Sequence, residues 1–258
     1  MNKFIKWSVM WRMYKNKKLI VWITAIVLSL AFAVGGAIYV SDYYHADVVA
    51  IEAFVADDCI EKHVVSEGVL AYGSVESAAG FIFYPGGKVE YTAYEPLMRA
   101  LASKGIFCIL MEMPFNLAVL DMSAADGMQE LYPQIESWYI GGHSLGGSMA
   151  ASYLAGHAEE FQGLILLGSY STADLTKADL GVLSVFGSED KIMNRDKYDK
   201  YKANLPSDTT EIEIDGACHA YFGMYGKQDG DGEATLTAEE QIRMTADFIA
   251  AFVSEGGN

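Results

Sequence analysis

Beyond residue 67, short runs of apolar and β-branched residues alternate along the chain with longer amphipathic runs. The short runs are GFIFY (80–84), GIFCILM (105–111), SWYIG (137–141), GLILL (163–167), GVLSVF (181–186) and TTEIEI (209–214). The longer runs cover about residues 91–104, 125–135, 145–157, 194–203 and 237–253. Several short runs are apolar at consecutive positions, as in strands that are buried on both faces of a parallel sheet. The alternation predicts one α/β domain over residues 67–258, with a mostly parallel sheet and helices on both faces.

A second constraint comes from residues 19–40, LIVWITAIVLSLAFAVGGAIYV, which contain no charged side chain. As a helix this segment would be about 33 Å long, enough to cross the hydrocarbon layer of a bilayer. Aromatic residues that suit the two interfaces flank it: Trp11, Tyr14, Trp22, Tyr39, Tyr43 and Tyr44. We predict one transmembrane helix that serves as an uncleaved signal anchor. The alternative is a cleavable signal peptide, because Ala31 and Ala33 have the spacing of a cleavage site.

The basic residues near the start of the chain predict the orientation of this helix. Lys and Arg precede it at six positions, Lys3, Lys6, Arg12, Lys15, Lys17 and Lys18, and the next one along the chain is Lys62. Positive charge is retained on the cytoplasmic side. We therefore expect residues 1–18 in the cytoplasm, residues 41–66 as a juxtamembrane connector with room for one strand, and the α/β domain outside the cell membrane.

Charge and cysteine content exclude several classes of function. Residues 41–258 hold 12 basic and 34 acidic side chains, a balance of −22. Phosphate groups would repel such a domain, so nucleic acid is excluded as a partner. Three scattered cysteines fit neither a disulfide scaffold nor a zinc site, and the acidic run QDGDGE (228–233) lacks the spacing of a calcium loop. We predict no metal and no cofactor.

The sequence Gly142-His143-Ser144-Leu145-Gly146 matches the pattern G-x-S-x-G between a predicted strand and a predicted helix. In this pattern a strand turns sharply into a helix, so that the serine hydroxyl projects above the edge of the sheet. The turn brings the backbone close to its neighbours, and the flanking glycines avoid a clash there. Ser144 is thus predicted as a nucleophile, and His143 as a residue that orients or packs rather than as a base.

A serine on such a turn is followed along the chain by an acid and then by a histidine. His219 lies after the last predicted strand, whereas His157 falls at the end of a predicted helix, where the helix dipole favours a histidine. We therefore predict His219 as the base. Asp190 follows the strand GVLSVF on a short loop and is predicted as the acid. The alternatives to it are Glu189, Asp174 and Asp179.

Acyl transfer also needs donors for the oxyanion. One is expected from the backbone N–H of Leu145, at the positive end of the helix after Ser144. The other is expected from the loop YPGGKV, which follows an early strand and whose glycines allow a close approach of the substrate. We predict the second donor at Gly87, with Lys88 as the alternative.

Together, YPGGKV, MPFNLAVL, GGHSLGG and GACHAYFGMYGKQDGDGEA make residues 68–253 resemble the α/β-hydrolase superfamily. Within it, the resemblance is to compact, lid-poor enzymes grouped with dienelactone hydrolases and small carboxylesterases. It implies an α/β-hydrolase fold and a Ser144–His219–Asp190 triad. Two departures stand out: Pro85 occupies a position where many members have His, and Ser144 replaces the cysteine of dienelactone hydrolases proper.

The expected function is therefore that of a membrane-anchored serine hydrolase of the carboxylesterase or lipase type. It would cleave a carboxylic ester or thioester through an acyl-enzyme. Because no insertion long enough for a lid is present, a small or lipid-like acyl substrate is expected. Two alternatives keep the fold: an acyltransferase with the same triad, and a binding protein on an inactive hydrolase fold.

Overall fold

The computed structural model describes residues 3–56 and 59–256, with side chains from residue 17 onward. The chain divides into two units, Met1–Asp42 and Tyr43–Asn258. The first unit consists of helix α1, Lys3–Ser41.

The part of α1 from Lys17 to Ser41 is the one helix in the described residues that is long and apolar enough to cross a membrane. It has 25 residues and a mean hydropathy of 2.4, and its most apolar stretch is not buried. The predicted span of residues 19–40 lies within it. The side chains of Trp11 and Tyr14, predicted at one interface, lie outside the described side chains, as do those of the basic residues before Lys17.

The second unit is built on one sheet, whose strands in the described residues are β1 Lys62–Ser66, β2 Val69–Tyr72, β3 Ala79–Tyr84, β4 Ile106–Met111, β5 Ser137–His143, β6 Gly163–Leu167, β7 Gly181–Gly187 and β8 Thr210–Ile214. Their order across the sheet is β1-β2-β4-β3-β5-β6-β7-β8. β2 runs antiparallel to β1 and β4, and every other neighbouring pair is parallel. The six predicted strands correspond to β3–β8, and the mostly parallel sheet is confirmed.

Helices cover both faces of the sheet. They are α2 Val48–Val55, α3 Glu95–Ala102, α4 Leu145–Leu154, α5 Arg195–Tyr201 and α6 Ala238–Ser254. Successive residues of β3 enter different cores, which explains its continuous apolar run. Phe81 and Phe83 pack in the core that α2, α3 and α6 share, whereas Ile82 and Tyr84 pack in the core on the α4 side. A strand that is buried on both faces needs an apolar residue at every position.

The helix predicted over residues 125–135 is wrong. This region forms turns and one short 3₁₀ segment, Gln129–Leu131. Gly127 has a φ of +75°, which ends any right-handed helix there, and Pro133 lacks the N–H that a helix interior needs. The hydroxyl of Tyr84 further holds the turn before it, by accepting a hydrogen bond from the Ala125 N–H and donating one to the Met122 carbonyl.

Of the connector predicted over residues 41–66, the described residues 43–56 and 59–66 belong to the second unit. Asp47 caps α2 by accepting a hydrogen bond from the Ala50 N–H, and Ile51 is buried in the core. β1 pairs with β2 at the edge of the sheet. The apolar sequence of α2, VVAIEAFV, has no helical period, so the sequence pattern gave no signal for this helix.

Candidate active site

Four loops meet at the carboxyl edge of the parallel strands, and three of them carry the predicted residues Ser144, Asp190 and His219. Ser144 directly follows β5, Gly168 follows β6, Asp190 lies after β7 and His219 lies after β8. In open α/β sheets this edge is where ligands bind, because the connecting loops there can vary without disturbing the sheet.

Ser144 occupies the sharp turn between β5 and α4. Its φ of +52° and ψ of −121° are a strained conformation for a residue with a Cβ. The turn is held on both sides: the Ser144 N–H donates to the Leu167 carbonyl at 2.9 Å, and the Ser144 carbonyl accepts the Ser169 hydroxyl at 2.7 Å. The surrounding structure therefore fixes the serine above the sheet edge.

The glycines that flank Ser144 are required by close backbone contacts. A Cβ on Gly142 would lie 2.2 Å from the Tyr84 carbonyl oxygen. A Cβ on Gly146 would lie 2.2 Å from the carbonyl oxygens of both Tyr84 and Pro85. Real Cβ atoms do not approach so closely, so the G-x-S-x-G pattern reflects the packing of the elbow against the end of β3.

His219 and Asp190 form a buried pair. His219 Nδ1 lies 2.8 Å from Asp190 Oδ2, and both side chains are shielded from solvent. The other carboxylate oxygen, Oδ1, accepts the N–H groups of Ile192 at 2.9 Å and Met193 at 2.8 Å. These bonds fix the carboxylate and, through it, the imidazole ring. His219 Nε2 is buried and has no hydrogen-bond partner in the described part of the chain.

The other predicted acids and histidines lie elsewhere. Glu189 contacts the Ser188 hydroxyl, and exposed Asp174 binds Thr176. His157 stacks on Tyr153 at the end of α4 and contacts the carbonyl of that residue. The contacts of these residues do not include the His219 ring.

The Ser144 side chain opens onto a cavity of about 240 Å³. Its walls are formed by Ser144, Leu145, Ser148, Gly168, Ser169, Tyr170, Ile192, Met193 and Asn194. Gly168 connects the cavity to the buried pair, because a Cβ there would lie 2.9 Å from His219 Nδ1 and 3.1 Å from Asp190 Oδ2. Its φ of +51° also suits glycine. The Ser144 hydroxyl makes no hydrogen bond to any described residue. Catalytic bonds are often long or absent before substrate binds.

The two predicted oxyanion donors lie side by side. A Cβ on Gly87 would be 2.9 Å from Leu145 Cδ2 and 3.3 Å from Leu145 Cβ, so the loop packs closely on the start of α4. The Lys88 N–H donates to the Asn116 carbonyl at 2.8 Å, which removes the alternative donor. The Gly87 N–H has no acceptor among the described residues.

Tyr94, which the sequence analysis did not predict as a site residue, supports the loop Gly86–Lys88. Tyr94 is fully buried, and its hydroxyl accepts the Gly86 N–H at 3.1 Å and lies 2.8 Å from His143 Nδ1. Burial, reinforced by the nearby His219, lowers the pKa of His143 well below its usual value. The tyrosine hydroxyl accepts the Gly86 N–H and has its own O–H to donate, so the contact fits a neutral His143 whose lone pair lies on Nδ1. His143 therefore orients Tyr94, in agreement with its predicted supporting role.

Neither a metal centre nor a cysteine nucleophile is formed by the described residues. They contain no group of three His, Cys, Asp or Glu side chains that could hold a metal ion. Burial raises the pKa of Cys218 to about 12, so its thiol stays protonated. The backbone of Cys218 is instead held by the Gln241 side chain, which binds its N–H at 3.1 Å and its carbonyl at 2.8 Å and so positions the loop that carries His219.

Comparison with known proteins agrees with this fold. The profile of the alpha/beta hydrolase family matches residues 80–243. The chain belongs to this family. No curated protein sequence matches it. The match covers Ser144 and the predicted acid and base, Asp190 and His219, and family membership supports a hydrolase.

Solved structures with the same fold include several hydrolases. A monoacylglycerol lipase from Paleococcus ferrophilus has a TM-score of 0.57 and 14% identity, over 74% of this chain and 99% of its own. A predicted CIB-like hydrolase from Thermoplasma acidophilum has a TM-score of 0.53 and 14% identity, over 75% and 99%. The esterase domain of a Rhodothermus marinus protein has a TM-score of 0.53 and 12% identity, over 76% and 97%. At these identities the likeness extends to the fold alone.

Proposed function

We propose that the chain is a serine hydrolase that cleaves carboxylic ester or thioester bonds with Ser144, His219 and Asp190. The proposal is carried by the buried 2.8 Å contact between His219 Nδ1 and Asp190 Oδ2, on the sheet edge where Ser144 holds its strained turn. A proton on Nδ1, donated to the carboxylate, leaves the lone pair of the imidazole on Nε2. That lone pair is what a general base for the serine hydroxyl requires.

The reaction would proceed through an acyl-enzyme. As Ser144 Oγ attacks the carbonyl carbon, His219 Nε2 takes its proton and Asp190 stabilises the imidazolium. The oxyanion is bound by the N–H groups of Gly87 and Leu145, and one such donor contributes about 3–4 kcal/mol to the transition state. His219 then protonates the leaving alcohol or thiol. In the second half, water gives one proton to His219 and attacks the acyl group, and His219 returns that proton to Ser144 Oγ as the acid is released.

The cavity beside Ser144 favours a compact acyl group. Its volume of about 240 Å³ is below the roughly 300–1,000 Å³ of pockets that enclose drug-sized ligands. Leu145, Ile192 and Met193 supply apolar walls, and Asn194 adds a polar group. We expect esters with a single short or medium acyl chain to react fastest.

Labelling with a fluorophosphonate tests the nucleophile. The full chain in detergent should react, the Ser144→Ala variant should not, and Ser152→Ala should react like the wild type. Ser152 is a suitable control because it lies on the same helix and its hydroxyl only binds the Ser148 carbonyl. p-Nitrophenyl esters of increasing chain length then measure the acyl preference. If Ser144→Ala is still labelled, the nucleophile is another residue. If the wild type is not labelled, the proposal of a serine hydrolase is wrong.

We also propose that α1 is a signal anchor that leaves the hydrolase unit outside the cell membrane. The apolar length of the helix and the six basic residues before residue 19 support this orientation. Cys59 is exposed, whereas Cys108 and Cys218 are buried, so the chain carries its own reporter. An impermeant maleimide should label intact cells that express the wild type but not Cys59→Ser. Labelling of Cys59 only after the membrane is permeabilised would reverse the orientation.

A further inference from the structure

An exposed apolar surface lies beside the loop Gly86–Lys88, which carries the proposed oxyanion donor Gly87. We define the 115–122 strip as the segment after β4 whose large apolar side chains face solvent: Phe115, Val119, Leu120 and Met122. Phe115 is 65% exposed and Leu120 is 55% exposed. Residues 113–120, MPFNLAVL, contain no charge. A large exposed patch of apolar side chains marks a surface that binds a membrane, a protein or an apolar ligand.

The strip is held in place at a cost in backbone energy. Phe115 and Asn116 both have left-handed φ values, +54° and +56°, although neither is glycine. Such residues cost about 1–2 kcal/mol each, so the surrounding contacts must impose them. Asn116 is fixed by the bond from the Lys88 N–H, and Met122 by the Tyr84 hydroxyl at 2.9 Å. Phe115 is thereby turned outward rather than buried like Met113.

Lys88 links this strip to the chain that leaves α1. Its N–H donates to Asn116, and its carbonyl accepts the Tyr44 N–H at 2.7 Å. Tyr44 is three residues after Ser41, the last residue of α1. Three extended residues span at most about 11 Å. Only this short stretch of chain therefore separates α1 from Tyr44, the residue whose N–H is bonded to the Lys88 carbonyl.

We propose that the 115–122 strip inserts into the surface of the bilayer that holds α1, and that the substrate is an uncharged or zwitterionic acyl lipid drawn from that bilayer. The inference rests on the proposed serine hydrolase. Lipid is the occupant that the anchor brings to the strip, and Asp121 is the one charged residue that the strip offers to a protein partner. The balance of −22 on residues 41–258 disfavours anionic head groups. An acyl chain leaving the bilayer beside the strip would reach the carbonyl position between Gly87 and Ser144.

Leu131 provides a matched control for Leu120, because both leucines are 55% exposed. Leu131 lies in the 3₁₀ segment whose Gln129 side chain binds the Glu160 carbonyl, just before β6 begins. This is the amino edge of the parallel strands, opposite to Ser144. Docking through the strip should therefore bury position 120 and leave position 131 in water.

The first experiment measures insertion without any need for activity. In a Cys59→Ser background, Leu120→Cys and Leu131→Cys are each labelled with an environment-sensitive nitrobenzoxadiazole dye. The full chains are reconstituted in phosphatidylcholine vesicles. The dye at position 120 should shift to the blue and be quenched by lipids brominated on the acyl chain, whereas the dye at position 131 should not. Equal behaviour of the two dyes would overturn docking.

The second experiment measures access to lipid substrate. In the same vesicles, Leu120→Ser should lower the hydrolysis of monodecanoylglycerol, a lipid with one medium-length acyl chain, about tenfold and change the hydrolysis of soluble p-nitrophenyl acetate less than twofold, and Leu131→Ser should change neither. An equal loss on both substrates, or no loss on the lipid, would refute the proposed role of the strip. A wild type inactive on both esters would defeat the proposed hydrolase, while the dye shift would still decide the docking.

Discussion

Tyr94→Phe is the sharpest perturbation that the site offers. The change removes one oxygen and keeps the ring contacts with Phe83 at 4.9 Å and with His143 at 5.8 Å. It leaves two buried groups, the Gly86 N–H and His143 Nδ1, without a partner. Each unsatisfied group costs about 1–3 kcal/mol, so we expect a loss of about 2–6 kcal/mol in the free energy of unfolding.

Such a loss should be visible in both stability and catalysis. For a unit of this size each kcal/mol lowers Tm by about 2–4 °C, so Tm should fall by at least about 4 °C. Because the Gly86–Gly87 peptide loses its support, kcat for p-nitrophenyl esters should fall by at least about tenfold, with a smaller change in KM. Thermal unfolding followed by circular dichroism and steady-state kinetics on the full chain in detergent give the two values.

Tyr139→Phe is the matched control for this prediction. Tyr139 is also buried in the core, but its hydroxyl makes one long bond of 3.4 Å to the Val253 carbonyl. Its loss should cost less than about 1 kcal/mol and leave kcat unchanged. If Tyr94→Phe and Tyr139→Phe prove equally stable and equally active, the Tyr94 hydroxyl does not support the oxyanion loop and the reasoning fails.

Three further predictions follow from the same contacts. Asp190→Asn should lower kcat on p-nitrophenyl esters by about 10⁴, because an amide can hold His219 in the wrong tautomer; a loss below tenfold would contradict the assigned acid. Gly146→Ala should lower the free energy of unfolding by more than about 2 kcal/mol in a denaturant titration, because its Cβ would lie 2.2 Å from two carbonyl oxygens. Gly156→Ala is the control: its nearest neighbour lies at 3.8 Å, so its free energy of unfolding should stay within about 0.5 kcal/mol of the wild type. Burial depresses the pKa of His143, so below about pH 6.5 the unfolded chain binds a proton that the folded chain does not. The free energy of unfolding of the wild type should therefore fall by up to about 1.4 kcal/mol for each pH unit below that value, and His143→Asn should remove this fall. Identical profiles of unfolding free energy against pH for the two proteins would refute this.

The sheet was predictable because its central strands carry a strong signal. β3–β7 contain apolar runs bounded by glycine or polar residues, and their composition indicates burial on both faces, whereas the edge strand β8, TEIEI, alternates polar and apolar residues. β1, KHVVS, and β2, VLAY, are too short to stand out, and they form because each pairs with a neighbour along the sheet. Their existence depends on tertiary contacts, which no local window of sequence contains.

The residues of the candidate site also differ in whether the sequence pattern predicts them. Ser144, Asp190 and His219 could be nominated because each directly follows a recognisable strand, and the ends of parallel strands meet at one edge. Tyr94 could not be nominated, because it lies in the short turn before α3 and gains its role only where its hydroxyl meets Gly86. Phe115 lies in the uncharged run MPFNLAVL, yet it is exposed. Its left-handed backbone, imposed by long-range bonds, decides its direction.

The loop after β3 shows how such contacts select the oxyanion donor. Many related hydrolases have His where this chain has Pro85, and a proline has no N–H to offer. Gly86 gives its N–H to the tyrosine hydroxyl beneath the loop, and Lys88 gives its N–H to the Asn116 carbonyl. The Gly87 N–H has no acceptor among the described residues, and Gly87 packs against the Leu145 side chain. Elimination and proximity thus select the same peptide group, which supports Gly87 as the donor that the proposed mechanism requires.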